Sequence, residues 1–132
     1  LGWRAAAWVV ACVPAVSLAL TASSLPLWHL PDLKEDPRMA AAQGALDAVP
    51  EGASVETDTT LLARLVPGRE VYWVGTTGTM DTPPEYVVID VRSYAWGDQQ
   101  VDAESWGSAA HPGHTYETIY SKAGFRVARR TS

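Results

Sequence analysis

The run Tyr86-Val-Val-Ile-Asp-Val91 decides the fold class, because it is the strongest strand pattern in the chain. Its apolar side chains are nearly unbroken, which is typical of a strand covered on both faces, as in a parallel sheet. Weaker β-rich patterns lie on either side of it, at residues 53–57, 70–74 and 125–129. The sequence therefore predicts a sheet built around residues 86–91.

Helical patterns alternate with the first of these strands. Asp36 is suited to cap a helix that has Pro37 at its first position, where a missing N–H costs nothing. Apolar side chains then recur at helical spacing until Pro-Glu-Gly at residues 50–52 ends the helix. Asp58 is placed to cap a second helix, over residues 59–66.

The C-terminal third is expected to hold a long loop, a helix and a last strand. Residues 92–112 have an irregular pattern, and loops of this length tend to be functional or mobile. Thr115 can cap a helix over residues 115–122, with Gly124 at its C-terminal end. The element order predicts an α/β fold with a small, mostly parallel sheet and flanking helices, similar to half of a doubly wound fold.

The N-terminal segment has a membrane-like composition. Residues 5–31 contain no Asp, Glu, Lys or Arg, and a helix from Trp3 to Trp28 would rise roughly 39 Å, enough to cross a hydrocarbon core. We expect residues 1–30 to form a transmembrane helix, the last of several in a longer parent protein. Residues 31–132 would then form one extracytoplasmic α/β domain, a side that the single charge of Arg4 weakly favours.

Two other interpretations of the N-terminal segment remain open. Arg4 and the small residues Thr21-Ala-Ser23 are also compatible with a cleaved signal peptide. A helix buried in the core of a globular domain is the third possibility, although the segment lacks the polar face that such a helix usually has.

Charge and cysteine content exclude some function classes. From Asp32 onward the chain carries fifteen acidic residues and nine of its ten basic ones, a net charge of −6. Such a surface repels nucleic-acid phosphates, so nucleic-acid binding is not expected. Cys12 is the single cysteine, which makes an intrachain disulfide impossible.

Three short blocks carry a family resemblance: Val49-Pro-Glu-Gly-Ala-Ser-Val55, Arg69-Glu-Val-Tyr72 and Glu85-Tyr-Val-Val-Ile-Asp90. Their order and spacing resemble the C-terminal extracytoplasmic domain of a family of bacterial multi-pass predicted membrane proteins of unknown function. That family is similar to the glycosyltransferases of the dolichyl-phosphate-mannose mannosyltransferase type, which use lipid-linked sugars. The resemblance covers about residues 31–130.

The resemblance implies an accessory role in the cytoplasmic membrane. In such transferases the catalytic carboxylate lies in an early loop between membrane helices, so no catalytic residue can be carried over onto this chain. The domain would aid stability or recognition of an acceptor or partner. Its expected partners are membrane lipid, the rest of the parent protein and a lipid-linked sugar or glycan. No cofactor is expected.

Candidate ligand-binding residues follow two predicted strands and occupy the long loop. Asp58, with Thr59 after it, and Asp90 lie at strand ends, the edge where open α/β sheets bind ligands. A helix cap and a strand-end hydrogen bond are the structural alternatives for the two carboxylates. Trp96 and Trp106 could stack on a sugar face, although anchoring the loop by burial is favoured.

Two further motifs are weaker. His111 and His114 lie close together in a Pro-Gly turn, but zinc needs three or four ligands, so no metal site is expected. The glycine-rich stretch at residues 75–79 lacks the following helix and the lysine of a phosphate-binding loop, and a turn is favoured.

A secreted or membrane-anchored module that binds a small ligand or glycan is the alternative function.

Overall fold

The computed structural model describes residues 36–132, which form a five-stranded mixed sheet with helices on both faces. The helices are α1 (Pro37–Asp47), α2 (Thr59–Leu65) and α3 (Ala103–Ala110), with a short 3₁₀ helix at Tyr94–Trp96. The strands are β1 (Ser54–Thr57), β2 (Glu70–Trp73), β3 (Tyr86–Asp90), β4 (Tyr116–Lys122) and β5 (Phe125–Arg130). Their order across the sheet is β2-β1-β3-β5-β4.

Strand β3 lies at the centre of the sheet and separates two hydrophobic cores. Val88 packs in the core beneath α1 and α2, whereas Val87 and Ile89 pack in the core beneath α3. Adjacent side chains of a strand point to opposite faces, so an apolar run such as this one serves both cores. This confirms the prediction that residues 86–91 form a strand covered on both sides.

The end of α1 is tied to the start of β2 by one arginine. The Arg69 guanidinium donates to the backbone carbonyl oxygen of Val49 from Nε at 2.9 Å and to that of Leu46 from Nη2 at 3.1 Å. Carbonyl groups in the last turn of a helix have no partner within the helix, so a cation there completes their hydrogen bonds. This contact explains why an arginine immediately before β2 is compatible with the fold.

Two predictions for the C-terminal third are wrong. Residues 115–122 do not form a helix but contain β4, which pairs antiparallel with β5 through a turn at Ala123 and Gly124, both of positive φ. The segment 92–112, expected to be irregular, contains the 3₁₀ helix and α3. Asp102 begins α3 by accepting a hydrogen bond from the backbone N–H of Ser105 at 3.3 Å.

The sheet is mixed, which corrects the prediction of a mostly parallel one. β1 pairs parallel with β2 and β3, while β5 pairs antiparallel with β3 and β4. The error in sheet direction follows from the error in residues 115–122, because a strand there turns directly into β5 instead of crossing over as a helix.

The predicted transmembrane helix at residues 1–30 lies outside the described residues, as do its two alternatives. Among residues 36–132, no helix has both the length and the hydropathy needed to cross a bilayer.

Candidate functional site

The carboxyl ends of β1 and β3 meet at the point where the strand order reverses, and open α/β sheets place their ligands at such points. Asp58 lies there and is buried. Its Oδ1 accepts from the backbone N–H of Thr60 at 2.9 Å, which caps α2. Its Oδ2 accepts from the backbone N–H of Asp90 at 2.7 Å and from the Trp96 indole N–H at 3.2 Å.

Asp90, also buried, is engaged on both carboxylate oxygens. Oδ1 accepts from the backbone N–H of Arg92 at 3.0 Å, and Oδ2 accepts from Nη2 of Arg38 at 2.5 Å. The Arg38 guanidinium also lies 4.5 Å from the centre of the Phe125 ring and donates to the Ala123 carbonyl oxygen at 2.9 Å. Arg38 thereby joins the start of α1 to the end of β3 and to the β4–β5 turn.

The other residues predicted from the sequence lie around these carboxylates in packed positions. The Thr59 hydroxyl is 3.5 Å from that of Ser93. Trp96 is 9% exposed, and its ring meets that of Trp106 edge to face with 5.9 Å between centroids. Trp106 also contacts the His111 ring, at 6.3 Å between centroids. Both tryptophans therefore anchor the 92–112 segment on the sheet.

A second polar cluster lies at the C-terminal end of α3, which His111 caps, and was not predicted from the sequence. Glu56 of β1 is completely buried, and its Oε2 lies 2.8 Å from His111 Nε2 and accepts from the Thr77 hydroxyl at 2.7 Å. Its Oε1 accepts from the backbone N–H of Gly75 at 2.8 Å. The stretch 75–79 is therefore a turn that supplies two donors to a buried carboxylate.

Aromatic side chains close this cluster on one side. The rings of His111 and Tyr116 lie 5.9 Å apart between centroids, and the Tyr116 hydroxyl donates to the Pro84 carbonyl oxygen at 2.7 Å. Burial raises the pKa of Tyr116 to about 12, with Arg130 acting against the shift and Glu56 adding to it. Tyr116 is accordingly a neutral hydrogen-bond donor at physiological pH.

The two histidines are separated in role. His111 is buried against Glu56, whereas Nδ1 of His114 lies 2.8 Å from the Ser132 carbonyl oxygen. Both line a small cleft of about 120 Å³ that Thr77 and Asp81 also border. Among the described residues, no group of three or more His, Cys, Asp or Glu side chains is arranged to hold a metal ion.

An open groove of about 620 Å³ lies beside the carboxyl end of β3. Its polar lining consists of Gln99, Gln100, Asp102 and Arg126, with apolar contributions from two valines. Asp102 Oδ1 and Arg126 Nε, both in this lining, are 3.9 Å apart and form a loose ion pair.

Sequence reasoning found Asp58 and Asp90 but missed Glu56, Thr77 and Arg38. The position of Glu56 within a predicted strand could have indicated the cluster. A carboxylate buried in a strand needs hydrogen-bond donors from elsewhere in the fold. Distant partners such as Thr77 have no local signal.

No protein-family model, curated protein or solved structure matches this chain.

Proposed function

We propose that this chain carries a non-catalytic, extracytoplasmic accessory domain of a glycosyltransferase-like integral membrane protein. The domain stabilises the membrane part or helps it to recognise an acceptor or partner. The proposal combines the uncharged segment at residues 5–31 with the family resemblance of the three sequence blocks. In this proposal the α/β unit is related to half of a doubly wound fold and follows the last membrane helix.

One structural observation carries the non-catalytic part of the proposal. The crevice between β1 and β3, where a doubly wound fold would bind its ligand, is occupied by the protein's own side chains. The Trp96 indole is hydrogen-bonded to Asp58 and the Arg38 guanidinium to Asp90, so the carboxylates that a ligand would need already have partners within the protein. Asp58 and Asp90 thus hold the segments of the domain together.

The experiment is membrane fractionation of the full-length parent protein, followed by removal of residues 37–132. We expect the intact protein to stay in the membrane pellet after alkaline carbonate extraction. Removal of the domain is expected to lower the amount of parent protein or its rate of sugar transfer without abolishing the chemical step. Extraction into the carbonate supernatant would refute the membrane assignment, and unchanged abundance and transfer would refute the accessory role.

The open groove favours a second candidate, a glycan-binding module. Carboxamide, carboxylate and guanidinium groups are planar donors and acceptors that suit vicinal sugar hydroxyls, and the groove presents all three. Replacing Gln99 and Gln100 with alanine is expected to weaken retention on an oligosaccharide array at least tenfold. Gln43→Ala, a change of the same kind on α1, serves as the control. Equal retention by both variants would remove this candidate.

A further inference from the structure

A patch of aromatic, apolar and basic side chains lies at the edge of the domain where the described chain begins. Tyr94 is 80% exposed and Met39 is 66% exposed, which makes them the two most exposed large hydrophobic side chains among residues 36–132. Two exposed basic residues accompany them. We call this surface the entry patch, and its members are Met39, Arg92, Tyr94 and Lys122.

Hydrogen bonds bring the parts of the entry patch together. Arg38, next to Met39 in α1, donates to the carbonyl oxygen of Ala123 in the β4–β5 turn, immediately after Lys122. The backbone N–H of Val91 donates to the Gly124 carbonyl oxygen at 2.9 Å. The start of α1, the end of β3 and the β4–β5 turn therefore meet at one edge of the sheet.

The Arg92 side chain lies over the same turn. A β-carbon added at Gly124 would be 3.8 Å from Arg92 Nε and 3.2 Å from Arg38 Nη1. Tyr94 follows two residues after Arg92 and begins the 3₁₀ helix. The Tyr94 ring belongs to neither core and is mostly exposed to solvent.

The chemistry of the patch fits the interface of a lipid bilayer. Tyrosine has an apolar body and a polar tip, which suits the headgroup level, and Arg and Lys can reach lipid phosphates. The acidic residues closest in sequence are Asp36, three residues before Met39, and Asp98, four residues after Tyr94, whereas Asp90 is buried in its contact with Arg38. In a domain with a net charge of −6, exposed arginine and lysine beside an exposed tyrosine stand out.

The length of the connecting chain favours the same partner. Asp36 begins the described domain, six residues after the end of the segment assigned to the membrane. Six residues span at most about 21 Å, and the headgroup region takes up about 5–8 Å of that reach, so in this proposal Asp36 lies within roughly 15 Å of the lipid surface. The arginines at the other end of β5, Arg129 and Arg130, pair near the start of β3 and belong to the opposite edge.

We infer that the entry patch docks on the headgroup layer of the bilayer that anchors the chain, with Tyr94 and Met39 at the interface and Arg92 and Lys122 on anionic phosphates. This inference rests on the proposed function, because it requires the N-terminal segment to be in the membrane. Docking orients the end of the sheet at which β3 finishes toward the lipid.

The test places a fluorophore on the full chain in lipid vesicles. Cys12 is replaced with alanine, and a single cysteine at Ala95, next to Tyr94, carries an environment-sensitive label. The matched control carries the label at Glu51, an exposed position before β1 on the opposite edge. In vesicles of mixed neutral and anionic lipid, headgroup spin labels are expected to quench the label at position 95 at least twofold more than the one at position 51.

Charge variants identify the contacts. Each basic residue near an anionic surface strengthens binding by roughly fivefold, so Arg92→Gln with Lys122→Gln should lower the docked-to-undocked ratio by on the order of tenfold or more. Arg64→Gln with Arg129→Gln removes the same charge elsewhere and should leave quenching unchanged. Tyr94→Ser should reduce quenching while the circular dichroism spectrum stays the same.

The outcomes separate the two proposals. Equal quenching at positions 95 and 51, in a chain that resists carbonate extraction, overturns the docking inference and leaves the proposed function standing. A chain that carbonate releases from the vesicles overturns both. Quenching at position 95 that persists in neutral lipid and in the double glutamine variant overturns the assignment of Arg92 and Lys122 to phosphates.

Discussion

Replacement of Asp58 by alanine tests whether this carboxylate holds the fold together. The side chain accepts hydrogen bonds from the Thr60 and Asp90 backbone and from the Trp96 indole, and it is almost fully buried. Loss of a helix N-cap costs about 1 kcal/mol. Leaving each of the other two buried donors without an acceptor costs about 1–3 kcal/mol. We therefore expect Asp58→Ala to lower the free energy of unfolding by roughly 3–7 kcal/mol.

Asp102→Ala is a matched control for this change. Asp102 also caps a helix through its side chain, accepting from the Ser105 backbone, but it is partly exposed and leaves no buried donor behind. Its loss should cost only about 0.5–1 kcal/mol. Asp58→Asn, which keeps one acceptor oxygen, should fall between the two alanine variants.

The assay is urea unfolding followed by tryptophan fluorescence, using residues 36–132, which contain both described cores. A domain of this size is stabilised by about 5–15 kcal/mol, and a loss of 3–7 kcal/mol shifts the urea midpoint by roughly 2–3 M. If Asp58→Ala and Asp102→Ala shift the midpoint equally, the assignment of Asp58 as a buried structural hub is wrong. Asp58 would then be available for a ligand.

Three further predictions concern the core beneath α3. Gly107→Ala should lower the free energy of unfolding by about 1–3 kcal/mol, because the new β-carbon would lie 2.9 Å from the Tyr116 ring. Gly78→Ala is the control, since a β-carbon there meets no atom within 4 Å. Equal urea midpoints for the two variants would contradict this prediction. His111→Ala should lower the free energy of unfolding by roughly 3 kcal/mol, because it leaves the buried Glu56 carboxylate short of a partner. His114→Ala, the control, should lower it by less than about 1 kcal/mol. Thermal unfolding compares the two variants, and similar melting temperatures would argue against the buried pair. Tyr116, with a pKa of about 12, binds its proton more tightly in the folded state than in the unfolded state. Its contribution to stability is therefore complete below pH 10 and is lost as pH rises toward 12. A pKa near 10, measured by tyrosinate absorbance, would refute its burial.

The first half of the described fold could be predicted from sequence because its signals are local. Asp58 caps α2, and the β3 run reports a strand buried on both faces. The bounds of α1, α2, β1, β2 and β3 lie within about two residues of those expected. The sheet edge that holds Asp58 and Asp90 was also predicted, since parallel strands end together.

The prediction of the second half of the fold failed where local sequence signals compete. Residues 116–122 are rich in aromatic and β-branched residues, which favours a strand, yet Thr115 and Gly124 also suit the two ends of a helix. The α3 sequence is rich in small and polar residues and contains Gly107, which favours a loop interpretation. Tertiary packing explains that glycine, because only a residue without a β-carbon fits against Tyr116 and Val87.

The partners within the site could not be predicted, because they are distant in sequence. Glu56 and His111 are 55 residues apart, and Arg38 and Asp90 are 52 apart. Their pairing depends on the strand order and on the face that each element covers. The sequence offered both residues of each pair without any indication of which side chains would meet.

Labelling of a single cysteine in intact cells tests the central claim most directly. In a Cys12→Ala background, Ala109→Cys places a thiol on the exposed face of α3. If the domain is tethered outside the cytoplasmic membrane, a membrane-impermeant maleimide should label this thiol in intact cells, in a protein that carbonate does not extract. Labelling only after the cells are lysed, or release of the protein from the membrane by carbonate, would contradict the claim.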